Sequence, residues 1–76
     1  MYVLRSLRDG KRYIGISDRV RDRLAQHNHG EVKSTKGRRP FELKYQEKLE
    51  TSAEARIREK YFKSAAGRRF LNKLGV

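Results

Sequence analysis

The order of apolar and polar residues along this chain predicts six elements. Tyr2 to Leu7 reads as a strand, Asp9-Gly10 as a turn, and Arg12 to Ile16 as the returning strand of a hairpin. Ser17 or Asp18 is placed to cap a helix that runs to about His27, with Val20 and Leu24 as its apolar stripe and Asn28-His29-Gly30 as its stop. Residues 31–40 form a basic loop, and Pro40 opens a third strand in which Phe41, Leu43 and Tyr45 alternate with Glu42, Lys44 and Gln46. Thr51-Ser52-Ala53-Glu54 fits a capping box, with Thr51 as cap and Glu54 reaching back. The helix it opens is expected to reach Lys63 or Ala66, with Gly67 breaking it, and Arg68 to Leu74 form a last short helix packing Phe70, Leu71 and Leu74. The order β-β-α-β-α-α describes an α+β fold: a three-stranded antiparallel sheet flanked by helices, as one domain over residues 1–76 without repeat or linker.

The hairpin register is open at this level. A two-residue turn at Asp9-Gly10 pairs Leu7 with Arg12 and Ser6 with Tyr13, leaving Tyr2 roughly 13 Å from Tyr13 along the strands. A longer loop over Ser6 to Asp9 sets Tyr2 directly opposite Tyr13. Side-chain parity is the same in both, so the two phenols share a face.

Charge narrows the partner. Twenty Lys and Arg against nine Asp and Glu leave +11 on 76 residues, spread along the whole chain rather than confined to a tail. Such a surface calls for a polyanion, of which nucleic acid is the commonest. An anionic membrane fits less well, since no helix pairs a wide apolar face with aromatic anchors. The chain has no Cys, which removes disulfides, thiolate metal sites and thiol nucleophiles. No apolar stretch approaches the length of a membrane span, and no leader pattern opens the sequence, so the expected location is cytoplasmic.

Several motifs fail. Gly10 and Gly15 are spaced like two glycines of a phosphate-binding loop, but Ile16 and Ser17 stand where Lys and Ser/Thr are required. His27 and His29 are only two apart and have no third ligand nearby, which argues against zinc. No organic cofactor is indicated.

Four features remain. Tyr2 and Tyr13 lie on the two arms of the hairpin; either alone could be an ordinary strand aromatic. Arg23 and His27 are an i,i+4 pair. With Val20 at zero, Leu24 lies near +40°, His27 near −20° and Arg23 near −60°, which puts His27 in the buried sector and Arg23 on its flank, where it could hold a phosphate or simply snorkel. Glu59 shares a helix face with Ala55, Phe62 and Ala66, so its carboxylate needs a partner: a cation, a metal or a hydrogen-bond network. The loop Lys33-Ser34-Thr35-Lys36-Gly37-Arg38-Arg39 sets small hydroxyls and Gly among unbalanced bases, a composition suited to phosphate contacts through Lys33, Thr35, Lys36, Arg38 and Arg39.

These residues together resemble a minimal GIY-YIG nuclease domain of the small stand-alone bacterial type, over nearly the whole chain. Tyr13-Ile14-Gly15 is the second motif intact, and Met1-Tyr2-Val3-Leu4 keeps the Tyr of the first without its preceding Gly. Arg23, His27 and Glu59 stand at the matching intervals. So do the stretches Ser34 to Leu43 and Arg58 to Lys63. The resemblance implies a divalent-metal-dependent endonuclease acting on DNA, branched or double-stranded, by structure-selective or weakly specific nicking, with repair among its possible roles. It implies that Glu59 holds one Mg²⁺ or Mn²⁺ and that Tyr2 is the candidate general base, with the choice among Tyr2, Tyr13 and His27 left open. Tyr13 would hydrogen-bond the attacking water or the scissile phosphate, Arg23 would stabilise charge on that phosphate, and His27 would assist proton transfer. The alternative is a nucleic-acid-binding module on the same fold with little or no turnover.

Overall fold

The computed structural model describes residues 1–76. β1 (Tyr2–Ser6) and β2 (Arg12–Gly15) form the hairpin and α1 (Val20–Asn28) follows. A 3-10 turn at Lys36–Arg38 leads into β3 (Phe41–Gln46), and α2 (Ser52–Lys63) and α3 (Ala65–Leu74) complete the chain. All pairings are antiparallel and the strand order is β2-β1-β3, which puts the first strand in the centre. This is the expected α+β architecture. No helix is long and apolar enough to cross a membrane.

The central place of β1 explains its composition. A strand covered on both faces has no solvent side, so it reads as a continuous apolar run. Met1, Tyr2, Val3 and Leu4 are all buried. Tyr2 and Leu4 pack with Phe41, against Val20 and Leu24 of α1. Met1 and Val3 pack with Phe62 of α2 and Leu71 of α3. Leu74, expected in that packing, is instead largely exposed.

The observed hairpin register lies between the two expected ones. Tyr2 pairs with Gly15 and Leu4 with Tyr13. The reason is the loop chemistry at the tip. Ser6 Oγ accepts from the backbone N–H of Arg8 and of Asp9, both at 3.1 Å, and Asp9 Oδ1 accepts from Lys11 N–H at 2.9 Å. Gly10 takes the positive φ of +72° that closes the loop. The phenols of Tyr2 and Tyr13 share one face, as parity requires, as diagonal neighbours.

β3 departs from simple alternation. A register irregularity opposite Val3 and Leu4 sends Phe41 and Leu43 to the α1 side and Tyr45 to the α2–α3 side, where its ring meets Phe62. One strand thereby supplies aromatic packing to both layers.

The helix break falls at Ser64, not at Gly67. Ser64 Oγ accepts from Gly67 N–H at 3.3 Å and restarts the chain as α3. Ala66 therefore does not continue the face of Glu59. Gly67 lies inside α3, because a Cβ there would collide with the backbone of Tyr61 and Phe62. Thr51 caps α2 as expected, accepting from Glu54 N–H at 3.1 Å. α1 begins at Val20, two residues later than a Ser17 cap and one later than an Asp18 cap would give, with Ser17 Oγ accepting from Arg19 N–H.

α2 is fixed to the end of the sheet by a fork. Arg58 Nε and Nη2 donate to the two carboxylate oxygens of Glu47, each at 2.9 Å, and the guanidinium lies over the Phe62 ring. Its hydrogen bonds and charge hold the Glu47 carboxyl below the usual range. Glu59, next along α2, takes its position from that anchor.

Gly67→Ala is expected to cost about 1–3 kcal/mol through overpacking of the α2–α3 crossing. Gly37→Ala, where a Cβ would meet no atom within 4 Å, should leave stability nearly unchanged. Urea denaturation of the two variants tests the comparison.

Candidate active site

The face of the sheet that carries both phenols is where the chemistry gathers. Tyr2 comes from β1, Tyr13 from β2 and His27 from the last turn of α1. The Tyr2 and Tyr13 rings are 6.3 Å apart between centroids, and Tyr13 stands edge-on to His27 at 4.8 Å. Phe41 covers the imidazole at 5.9 Å.

A buried hydrogen-bond chain runs through this cluster. Tyr2 Oη lies 3.1 Å from His27 Nε2, and His27 Nδ1 lies 2.7 Å from Thr35 Oγ1. Thr35 Oγ1 in turn donates to Val32 O at 3.3 Å. The directions follow from that last bond. A hydroxyl that donates to a carbonyl accepts at its other side, so His27 carries its proton on Nδ1 and presents a bare Nε2 to the Tyr2 hydroxyl. Tyr2, His27 and Thr35 are 1%, 0% and 0% exposed.

Burial sets the protonation states. It lowers the His27 pKa below the ordinary value, and the Arg23 charge adds to this, so the imidazole is neutral at pH 7. Burial likewise raises the Tyr2 pKa, with Arg23 drawing it back and Tyr13 and Glu59 adding to the rise. The phenol is therefore protonated and poised to donate to Nε2. Arg23 and Glu59 both exert their fields on this one oxygen. Arg23 is steadied by a bond from Nη1 to Gln26 Oε1 at 2.8 Å.

Glu59 and Tyr13 line one cleft of about 600 Å³ between the hairpin and α2–α3. Glu59 is the single carboxylate there; it lies 3.4 Å from Lys63 Nζ, one turn on. No group of three or more His, Asp or Glu gathers anywhere. A lone carboxylate does not fit tetrahedral zinc. It does fit Mg²⁺ or Mn²⁺, which keep several waters and take only one or two protein carboxylates.

Gly15 is part of the site for a steric reason. A Cβ at Gly15 would stand 2.5 Å from Tyr2 Oη and 3.1 Å from the Tyr13 ring. Any side chain there would push the phenol off His27.

The basic loop is less uniform than its sequence. Lys33 and Lys36 are exposed and free to meet a phosphate. Thr35 is not: it is buried, and its hydroxyl serves His27, which corrects the expectation of a phosphate contact. Arg38 is half-buried, bonded to Asp9 Oδ2 at 3.1 Å and to Arg12 O at 3.3 Å. Arg39 donates to Lys36 O at 2.8 Å and fills the space above Gly30. The sequence gives no spacing signal for the Thr35 role, because the partner lies across a loop.

Tyr13, which lines the cleft with Glu59 and stands against both Tyr2 and His27, joins the buried cluster to that cleft, whereas Tyr2 and His27 themselves do not line it. The family model described as the GIY-YIG catalytic domain matches residues 1–73, and the chain belongs to that family. Among curated proteins it is similar to a UPF0213 protein of Bacillus licheniformis, 44% identical over 63 residues, covering 82% of this chain and 64% of that protein. A UPF0213 protein of Staphylococcus saprophyticus is 40% identical over 60 residues, covering 78% of this chain and 72% of the relative. One of Staphylococcus aureus is 48% identical over 52 residues, 67% of this chain and 63% of the relative. The chain thus spans just under two thirds of the first and third of these relatives. No solved structure matches significantly.

Thr35→Val is expected to destabilise the fold by about 1–3 kcal/mol, because it strands the buried Nδ1–H of His27. Thr35→Ser should recover most of that loss. Chemical denaturation of both variants supplies the comparison.

Proposed function

We propose that this domain is a divalent-metal-dependent endonuclease that hydrolyses a phosphodiester in DNA, cutting one strand per visit. The observation that carries the reading is the buried chain Tyr2–His27–Thr35 beside the cleft of Glu59. The same chain also ties α1 to the sheet, and its proton-accepting Nε2 against a phenol is what suits it to proton transfer as well.

The family resemblance supports the following roles. Tyr2 Oη takes the proton of the attacking water while it passes its own to His27 Nε2, so no free phenolate has to form despite the raised pKa. Thr35 positions the imidazole. Tyr13, the phenol that lines the cleft, orients the water or the phosphate. The new P–O bond forms as the opposite ester bond breaks, and the leaving oxygen takes a proton from solvent. Arg23 meets the charge that grows on the phosphate. A divalent cation held by Glu59 supplies, when bound, further Lewis-acid stabilisation of that charge. Lys33, Lys36 and the exposed parts of Arg38 and Arg39 receive neighbouring backbone phosphates, which favours branched or double-stranded DNA as substrate.

Glu59→Gln is expected to abolish nicking of plasmid and branched DNA in Mg²⁺ or Mn²⁺ while leaving DNA affinity intact or slightly higher. Binding without metal-dependent cleavage by the parent protein would instead favour the inactive-module reading. The pH dependence has a defined sign. His27 must be neutral to accept the proton, and burial lowers its pKa, so kcat/KM should fall on the acid side with a midpoint below that of an ordinary histidine. A pH profile at saturating metal measures this. Thr35→Val should lower kcat by on the order of tenfold or more without the same rise in KM, the mark of lost positioning.

A further inference from the structure

On the opposite face from the tyrosines, β1 and β2 bring two guanidinium groups together. Arg5 and Arg12 are in direct register across the hairpin. Like charges in that relation are destabilising unless something lies between them. Neither is free to relax the contact easily. Arg12 is held by bonds from Nε to Val76 O at 2.8 Å and from Nη2 to Asn72 Oδ1 at 2.6 Å. Arg5 Nε is buried with no hydrogen-bond partner, the only such side-chain atom in the protein. The carboxylate in register with Arg5 on its other side, Glu42 of β3, holds Lys44 Nζ at 2.6 Å instead. Burial and the Arg5 charge both lower the Arg12 pKa, as expected of two cations with no anion between them.

The same two residues line the cleft that holds Glu59, together with Lys11, Lys63 and Arg68. Five bases thus face one acid in about 600 Å³. An orphaned guanidinium donor in a basic cleft is a site short of an oxyanion. We propose that Arg5, with Arg12 and Arg68, forms a subsite for a second backbone phosphate of the bound nucleic-acid strand, beside the phosphate that faces Glu59. This rests on the nuclease reading for its choice of ligand. The cleft is continuous from Tyr13 and Glu59 to Arg5, which favours a phosphate carried on a strand over a free ion.

The test has two arms. Thermal melting is followed in sodium phosphate and in sodium chloride at matched ionic strength. Binding of a labelled duplex oligonucleotide is followed in EDTA across a salt range. Phosphate should raise the melting temperature of the parent protein, since an anion bound only by the folded state stabilises it. Arg5→Met should cut that rise by at least half, with a melting temperature in chloride equal to or above that of the parent. It should also lower the salt slope of DNA binding by about 0.9. Arg8→Met, exposed at the hairpin tip and outside the cleft, should change neither the phosphate effect nor the chloride melting temperature. If Arg5→Met fails to fold, Arg68→Ala on the exposed side of α3 gives the same two readouts.

An unchanged phosphate shift and an unchanged salt slope in these variants overturn the subsite. An equal loss of the phosphate shift in Arg8→Met also overturns it. A lost phosphate shift with an unchanged DNA slope shows a free-ion site and overturns the strand-backbone assignment. The two readings separate cleanly. A protein that cuts nothing but keeps the Arg5-dependent phosphate and DNA effects loses the nuclease reading and retains the subsite. A cutting protein whose Arg5→Met variant binds like the parent loses the subsite alone.

Discussion

The hydrogen bond between Tyr2 and His27 joins the first strand to the first helix, and Thr35 joins both to the loop that follows. In a protein with 13 buried residues, these three polar side chains are a large share of the interior. Each would be costly to bury alone. Together they satisfy one another, and the chain ends on a backbone carbonyl that needs a partner of its own. The site is therefore not grafted onto a finished core; it is part of what holds the α1 layer to the sheet. The other features of that face follow from it. Gly15 has no side chain because the phenol occupies that space, and Phe41 covers the imidazole from the far strand.

Dryness rules the α1 face of the sheet and charge the cleft on its other side. The interior pushes the phenol and the imidazole toward their neutral forms, while the cleft a few residues away is crowded with cations. Neutral groups beside fixed charges suit proton transfer, since little solvent has to reorganise. Glu59 of α2 is the single carboxylate that lines this cleft. Its helix is set by the Arg58–Glu47 fork, so the position of the acid depends on an ion pair made by the residue just before it.

Much of this was legible in the chain. The strand and helix order could be read from alternation, from Asp9-Gly10, and from the cap at Thr51, because each is a local signal. The helical wheel put His27 in the buried sector, which the structure bears out. What escaped was non-local. The register of the hairpin was decided by the Ser6 hydroxyl, whose bonds to Arg8 and Asp9 make a longer, tighter loop than a two-residue turn. The irregularity that turns Tyr45 to the second layer needs its partner strand to be seen. Gly67 was read as a helix breaker, whereas it permits two helices to touch, a role that only the crossing reveals. Thr35 looked like one more polar loop residue because its partner is on another element.

Arg38 ties the basic loop to the hairpin tip, through Asp9 on one side and a β2 carbonyl on the other. A loop so tethered cannot sweep outward independently of the strands. A polyanion that approaches it meets a surface already in shape, and little freedom is surrendered at the moment of contact. On the proposed nuclease reading, selection among substrates turns on whether a nucleic-acid backbone fits that rigid relief, more than on the identity of its bases.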